Sequence, residues 1–316
     1  MRPSLRPPRP PLALVGSLAL AVGLLGACAQ NGASPAADLG GLLVLAGDPG
    51  DAQLRAWAPG AAADADRAVK TPTGTAWIAG GRADVLVANL VDGSLRTSDP
   101  IDPDEDPTWR KVSAAGADGH QAADPFYFPT WDPEGGRFAA LAGDLDAEPR
   151  LTLIDPSARS ALEIALERPV VAAPPAWVGD DLIAVAVGDA TSPGSILIDT
   201  TTGEISDGPA GGRLFATSAD GRTIALVGED GDTIVIRTTD GWRSGDGSSI
   251  GSIDAPPDAV AHTALALDAD GTRLAVAWLD DGGAVRIAVH DRADGWRRVA
   301  SLDAGDAAGA VVAWLR

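Results

Sequence analysis

Short apolar runs separated by tight-turn residues recur along the chain, and three of them align with one another. Residues 131–142 read WDPEGGRFAALA, residues 217–227 read TSADGRTIALV and residues 267–277 read LDADGTRLAVA. In each copy a strand-forming segment is followed by an Asp-Gly or Glu-Gly turn and then by alternating small and apolar residues. Each copy therefore predicts a β-hairpin that packs into a core.

The same unit recurs with a long period. Looser copies begin at Trp77 and Trp177, and a half-copy at residues 310–315 ends the chain. The anchor positions are 40 to 54 residues apart and comprise Trp77, Trp131, Trp177, Thr217, Leu267 and Trp314. A period of about 40 to 50 residues with four strands per unit is typical of a β-propeller, whereas one β-sandwich would not repeat in this way. The four anchor tryptophans are interpreted as blade-packing residues.

The two chain ends predict how the propeller closes. Residues 310–316 form one strand of a further unit, whereas residues 41–45 read as a second strand whose first strand is missing. Pairing between them would complete a blade over residues 41–68. The result is an all-β, six-bladed propeller closed by pairing of the C-terminal strand with the N-terminal blade, which removes free sheet edges.

Two segments are harder to assign. In the fifth blade we expect strands at residues 214–218, 223–227 and 233–238, followed by a weak outer strand that begins at Trp242. Residues 160–167, SALEIALE, fit either an outer strand or a short helix.

The N-terminus predicts export. Arg2, Arg6 and Arg9 precede the apolar run 12–25, which is too short for a membrane span and suits a signal-peptide core. The run ends in Leu25-Gly26-Ala27-Cys28, which resembles the lipobox of bacterial lipoproteins and contains the only cysteine of the chain.

This resemblance implies three segments. Residues 1–27 would be a lipoprotein signal peptide, residues 28–39 the lipidated Cys28 with a flexible tether, and residues 40–316 the propeller domain. The mature protein would be anchored by lipid to the outer side of a bacterial membrane. An ordinary secretory signal or a short uncleaved anchor is the alternative.

The hairpin at residues 131–139 has the order Trp-x-Pro-Glu-Gly-x-x-Phe-Ala, which resembles the WD-like repeat of TolB-type propellers. Only this copy matches closely, because the other two aligned copies keep the Asp-Gly turn but lack the Trp and the Pro. The similarity covers about residues 40–316, and the extra N-terminal domain of TolB has no counterpart here. The resemblance implies a six-bladed envelope propeller that serves as a protein-binding platform.

Composition excludes several functions. The chain has 44 Asp+Glu against 24 Lys+Arg, for a formal charge of −20, which argues against nucleic-acid binding. A single cysteine excludes a disulfide framework and a cysteine-based zinc site. The three histidines, His120, His262 and His290, lack metal-ligand spacing and are interpreted as structural. We expect neither a cofactor nor a metal.

Three short motifs are weak candidates for chemistry. Residues 247–251, GSSIG, match G-x-S-x-G but lack the strand before and the helix after that a nucleophilic serine needs. Residues 268–271, DADG, resemble the start of a calcium loop without its later ligands and are interpreted as a hairpin turn. Residues 301–305, SLDAG, resemble a broken sialidase Asp-box in a loop between blades. No catalytic residue is therefore predicted.

Acidic residues are concentrated in one set of loops. If the strands of a blade are called a to d from the channel outwards, every assigned b–c loop carries acid. This acidic rim comprises Asp48, Asp51, Asp92, Asp144, Asp146, Glu148, Asp189, Glu229, Asp230, Asp232, Asp280 and Asp281. The b–c loops lie on one face, so the rim would focus a negative potential on a basic partner or a divalent cation. The alternative is that Asp is simply a good turn residue.

The long connection at residues 113–125 would overhang the same face. It contains Asp118, His120 and Asp124, which we predict as a contact loop. The favoured function is a membrane-anchored, non-catalytic propeller that binds an envelope protein, possibly one with a basic surface. The alternatives are a hydrolase or lyase acting on a cell-wall or sugar substrate in the channel, and a divalent-cation-binding module.

Overall fold

In a computed structural model of the chain, the described residues form twenty-four strands in six antiparallel sheets of four strands each. The structure describes residues 41–47, 52–57, 67–81, 85–89, 92–99, 106–113, 125–189, 192–209, 214–228, 231–306 and 310–315. The predicted signal peptide and the tether with Cys28 lie outside these residues. Within them, no helix has the length and apolar character needed to cross a membrane.

The strands are short because turn residues interrupt the chain every few positions. In chain order they are β1 (Leu42–Ala46), β2 (Gln53–Trp57), β3 (Arg67–Val69), β4 (Thr75–Gly80), β5 (Val85–Asn89), β6 (Leu95–Ser98), β7 (Trp109–Lys111), β8 (Phe126–Trp131), β9 (Phe138–Ala142), β10 (Arg150–Asp155), β11 (Ser160–Ala165), β12 (Ala176–Trp177), β13 (Leu182–Asp189), β14 (Ser192–Asp199), β15 (Ile205–Asp207), β16 (Phe215–Thr217), β17 (Thr223–Val227), β18 (Thr233–Thr238), β19 (Gly251–Asp254), β20 (Ala259–Leu267), β21 (Arg273–Asp280), β22 (Ala284–Asp291), β23 (Arg297–Asp306) and β24 (Ala310–Trp314).

Each sheet is one blade of a propeller. Blade 1 has the order β24-β1-β2-β3, and blades 2 to 6 take the following strands in groups of four, from β4–β7 to β20–β23. The predicted closure is confirmed, since Leu42 lies opposite Trp314 and Val44 lies opposite Val312 in the antiparallel pair of β1 and β24. The all-β, six-bladed architecture predicted from the repeat is also confirmed.

The core consists of six apolar clusters, one between each pair of neighbouring blades. Side chains alternate between the two faces of a strand, so Leu42 and Val44 pack towards blade 6 whereas Leu43 and Leu45 pack towards blade 2. All four are almost fully buried. Burying one leucine contributes about 1.5–3 kcal/mol, so the stability of each blade depends on both neighbours.

One anchor assignment was wrong. Trp131, Trp177 and Trp314 are buried in strand a of their blades, and each lies opposite a residue at or next to the start of strand b. In blade 2 the corresponding position is Gly80, opposite Val85, because a Cβ atom there would lie 2.0 Å from the carbonyl oxygen of Trp314. Trp77 lies three residues earlier and therefore does not occupy the blade-packing position.

Three other sequence expectations are settled by the strands. Trp242 does not begin an outer strand, because it lies buried in the short helix α1 (Thr239–Arg243), which Thr238 caps, and the outer strand is β19. Residues 160–165 form an outer strand, not a helix. The Asp-box-like residues 301–305 lie inside β23, so their placement in a loop was wrong.

Candidate functional site: the b–c face and the central channel

Seven acidic-rim residues lie at one end of the blades, in or beside the b–c loops. They are Asp92, Asp144, Asp146, Glu148, Asp232, Asp280 and Asp281, and all except Asp280 are exposed. Asp189 ends β13, opposite Ser192. The remaining rim residues (Asp48, Asp51, Glu229 and Asp230) and the contact-loop residues (Asp118, His120 and Asp124) lie outside the described residues. We call this end of the propeller the b–c face.

Asp92 shows how a rim acid shapes its own hairpin. Its Oδ1 atom accepts hydrogen bonds from the backbone N–H of Ser94 at 3.0 Å and from the Ser94 hydroxyl at 2.6 Å. Its Oδ2 atom lies 2.8 Å from the guanidinium of Arg96. The Ser94 hydroxyl and Arg96 lower the pKa of Asp92 to about 2. This carboxylate is therefore held as an anion by the loop that it closes.

Asp280 has a similar but buried position in blade 6. Its Oδ1 atom accepts hydrogen bonds from the backbone of Ala284 at 2.8 Å and Gly282 at 3.0 Å, and its Oδ2 atom accepts one from the Arg286 guanidinium at 2.8 Å. These contacts, with Ala284 first, lower the pKa of Asp280. Arg286 also pairs with Asp303 of the outer strand. Sequence reasoning missed Arg96 and Arg286 because they lie in strand c and not in the loops.

The other described rim acids differ in whether their carboxylates take part in a turn. Asp144 accepts hydrogen bonds from the backbone of Asp146 at 3.0 Å and Ala147 at 3.2 Å, so it also closes a turn. In the described part of the chain, no hydrogen bond or ion pair is made by the carboxylates of Asp146, Glu148 and Asp281. These three exposed groups can bind a partner without a loss of turn structure.

A central channel of about 120 Å³ runs between the inner strands of the blades. It is lined by residues of the a strands and by Ala172, Pro174 and Pro175, which precede β12. None of its described lining residues carries an ionisable side chain, and Thr130, Thr217 and Thr263 supply its side-chain hydroxyls.

Three aromatic rings meet between blades 2 and 3, beside the channel. The Trp77 ring centroid lies 5.2 Å from that of Tyr127 and 5.0 Å from that of Phe128, and Phe128 lines the channel. All three side chains are partly exposed. Strand a runs away from the b–c face, so residues near the start of β4 and β8 lie towards that face. Sequence reasoning missed this aromatic cluster, although the run Phe126-Tyr127-Phe128 was a signal for it.

The serine motif, the turn that resembles a calcium loop and the histidines His262 and His290 all lie in settings that suit a structural role. Residues 247–250 are a loop that leads into β19, so the helix required after a nucleophilic serine is replaced by a strand. Asp268 accepts hydrogen bonds from Thr272 and Arg273 in a β-hairpin turn, as predicted. Burial lowers the pKa values of His262 and His290. Among the described residues, no group of three or more His, Cys, Asp or Glu side chains could hold a metal ion.

Comparisons with solved structures identify the fold. TolB from Acinetobacter baumannii matches with a TM-score of 0.61 and 13% identity, over 87% of this chain and 67% of that one. A putative TolB from Agrobacterium tumefaciens matches with a TM-score of 0.56 and 13% identity, over 87% and 99%. A puromycin hydrolase matches with a TM-score of 0.53 and 16% identity, over 85% of this chain and only 53% of the hydrolase. No protein-family model matches the sequence, and no curated protein is significantly similar to it.

These likenesses establish a TolB-type six-bladed β-propeller, as the hairpin at residues 131–139 implied. The identities are low, so the comparisons show the fold and not the activity.

Proposed function

We propose that this protein is a lipid-anchored envelope lipoprotein whose propeller is a non-catalytic platform for another protein. The b–c face binds a basic surface of that partner through the acidic rim, and Cys28 carries the lipid. The TolB-like fold supports a protein-interacting propeller of the envelope type. The observation that carries the binding face is the set of three exposed carboxylates, Asp146, Glu148 and Asp281, that no turn uses.

The channel lining supports binding over catalysis. An acid–base or metal mechanism needs ionisable groups that converge on a substrate, and none of the described lining residues carries one. The exposed acids, by contrast, lie together on the b–c face. Charges arranged in this way raise the association rate with a basic partner and make binding sensitive to salt.

Crosslinking capture from the native membranes tests the platform and its face together. The wild type is compared with a rim variant, Asp146→Asn/Glu148→Gln/Asp281→Asn, which removes three charges without breaking a turn. The control variant, Glu134→Gln/Asp240→Asn/Asp294→Asn, removes three exposed charges from two turns and the helix α1 on the opposite face. We expect the rim variant to lose a stoichiometric partner that the wild type and the control both capture.

Equal capture by all three proteins would contradict the rim as the docking face. Absence of any stoichiometric partner would contradict the platform itself.

Lipidation has a separate test. Metabolic labelling with an alkyne fatty acid should label the wild type, and Cys28→Ser should abolish the label and release the protein from membranes. Labelling that survives Cys28→Ser would refute the lipobox assignment.

A second candidate is a hydrolase, which the likeness to puromycin hydrolase favours. The purified propeller would be incubated with cell-wall fragments and with chromogenic ester and amide substrates. Turnover that copurifies with the folded chain would favour the enzyme, and we expect none.

A further inference from the structure

We propose that the central channel is a binding site for a small, uncharged, polyhydroxylated molecule of the size of a monosaccharide. This inference concerns the channel and not the acidic rim, so it is independent of the protein partner and the lipid anchor. It depends on the hydroxyl groups of the lining, on the backbone edges that face the channel and on the charge of the lining.

Three threonine side chains bring free hydroxyl groups to the channel. Thr130 of β8, Thr217 of β16 and Thr263 of β20 all line it. In the described part of the chain none of these hydroxyls makes a hydrogen bond, and the Oγ1 atom of Thr263 is shielded from solvent as well. Shielded polar atoms of folded proteins are normally hydrogen-bonded, so the channel offers hydroxyls that lack a partner within the protein.

Two inner strands depart from regular pairing where they line the channel. The pairing of β20 with β21 shifts register between His262 and Ala264, on either side of Thr263. The pairing of β8 with β9 shifts between Tyr127 and Thr130, on either side of Phe128 and Pro129. Irregularities of this kind redirect side chains and occur often beside binding sites. In both strands the residues within the shift belong to the channel lining.

The backbone adds further hydrogen-bonding groups. The strand nearest the channel is an edge strand in each of the six described sheets: β24, β4, β8, β12, β16 and β20. Only one edge of such a strand is paired within its sheet, so N–H and C=O groups of alternate residues are directed to the channel side. A sugar hydroxyl both donates and accepts hydrogen bonds, and it can therefore pair with either group and with a threonine.

The lining favours an uncharged ligand. None of the described lining residues is ionisable, so a charged ligand would lose its hydration without gaining a counter-charge. The rings of Phe128, Phe215 and Trp314 also belong to the lining. Such rings offer apolar surface to the C–H groups of a sugar ring, whose hydroxyls remain free to bind the polar groups.

The size and the opening of the channel fit a monosaccharide. Its volume is about 120 Å³, whereas one water molecule needs about 10–15 Å³, so there is room for about ten non-hydrogen atoms, as in a pentose or hexose. Ala172 of the lining is exposed, and it lies in the connection from blade 3 to blade 4 on the b–c face. Phe128 and Thr263 are partly exposed. A ligand can therefore enter from the b–c face.

The test uses glucose, galactose, mannose and xylose as neutral probes on the full chain, with glucuronate and glucosamine as charged counterparts. Isothermal calorimetry would report binding, as would tryptophan fluorescence, because Trp131 and Trp314 line the channel. We expect saturable binding of at least one neutral sugar, about tenfold tighter than that of either charged sugar. No saturable binding of any neutral sugar, or equal binding of the charged sugars, would overturn the proposal.

Variants locate the site. Thr217→Val and Thr263→Val should each weaken binding of that sugar about threefold to tenfold, because each removes one hydroxyl. The matched control is Thr108→Val, since Thr108 is exposed beside the outer strand β7 and should not affect binding.

A larger side chain at the opening gives a check that does not depend on the threonines. Ala172→Phe should obstruct the channel and abolish binding, while the melting temperature stays unchanged because Ala172 is exposed. Sugar binding that survives both Ala172→Phe and Thr263→Val would place the sugar elsewhere and contradict the site.

A disaccharide distinguishes the source of the sugar. The neutral sugar that binds best is compared with a disaccharide built from it. We expect weaker binding of the disaccharide, because the channel has room for about one ring, and this result would identify a free monosaccharide. Tighter binding of the disaccharide would overturn that size limit and identify the end of a glycan chain.

Discussion

The guanidinium of Arg137 in blade 3 lies 5.6 Å from the centre of the Trp177 ring in blade 4. The same group donates a hydrogen bond to the carbonyl oxygen of Asp180 at 3.2 Å and pairs with Asp132 of its own hairpin at 3.2 Å. Arg137 therefore joins two blades on the face opposite the b–c face. A flat cation that stacks on a ring and donates from its edge makes all these contacts at once.

Replacement of Arg137 by Lys should lower the free energy of unfolding by about 1 kcal/mol, because an ammonium cannot stack and donate in the same geometry. Urea unfolding would measure the change. Arg222→Lys is the control, since Arg222 lies one position earlier in the corresponding hairpin of blade 5 and is exposed. We expect less than about 0.5 kcal/mol there. Equal losses at both positions would show that the Trp177 contact adds nothing.

Asp268 and Asp132 occupy the same place after strand a but should respond oppositely to replacement by Asn. Burial, together with the charge of Asp270, raises the pKa of Asp268, whose Oδ1 atom accepts hydrogen bonds from Thr272 and Arg273 at 2.8 and 2.9 Å. An Asn side chain at this position still offers an oxygen that accepts these two hydrogen bonds, and it removes a buried charge. Asp268→Asn should therefore stabilise the protein by about 0.5 kcal/mol at pH 7, as measured by urea unfolding.

Asp132→Asn should destabilise by about 1 kcal/mol, because it removes the ion pair with Arg137. The pH dependence gives a second check at Asp268. A carboxyl whose pKa is raised on folding favours the folded state at low pH and loses that contribution as the pH rises through the folded pKa. The advantage of Asp268→Asn should therefore shrink as the pH falls from 7 to 4. An advantage that is constant with pH would contradict a buried charge.

The architecture was predictable because hairpin turns repeat in the sequence. The Asp-Gly turns fixed the registers of blades 5 and 6, and the unmatched strands at the two ends predicted the pairing of β1 with β24. The prediction placed Trp77 at the blade-packing position because it aligned this tryptophan with the others. The residue at that position is Gly80, because the backbone of Trp314 lies too close to leave room for a side chain. The aromatic cluster was not predictable, since a register shift and a positive φ at Phe128 bring its rings together.

A substitution at Gly80 would test how closely blades 1 and 2 pack. A Cβ atom at this position would lie 2.0 Å from the carbonyl oxygen of Trp314, so Gly80→Ala must displace backbone and should cost about 2–3 kcal/mol. Gly136→Ala is the control, because nothing lies within 4 Å of the corresponding Cβ atom. Thermal melts should show a clear loss for the first variant and little change for the second. A tolerated Gly80→Ala would contradict the close approach of β4 and β24.

Because of His262 and His290, the protein should become less stable in mild acid. Burial lowers the pKa of both rings, and Arg298 lowers that of His290 further, although the backbone of Trp296 accepts a hydrogen bond at 3.0 Å from its Nδ1 atom. The unfolded chain then takes up protons that the folded chain resists, so stability falls as the pH drops below about 6.5.

If the folded state excludes one proton that the unfolded chain binds, the unfolding free energy changes by about 1.4 kcal/mol per pH unit. We expect a smaller change because both rings are partly exposed. The double variant His262→Gln/His290→Gln should flatten the dependence of the unfolding free energy between pH 7.5 and 5.5 (the range that brackets an ordinary histidine pKa of about 6.5). Urea unfolding across this range would measure it. A slope unchanged in the double variant would assign the acid sensitivity to other groups.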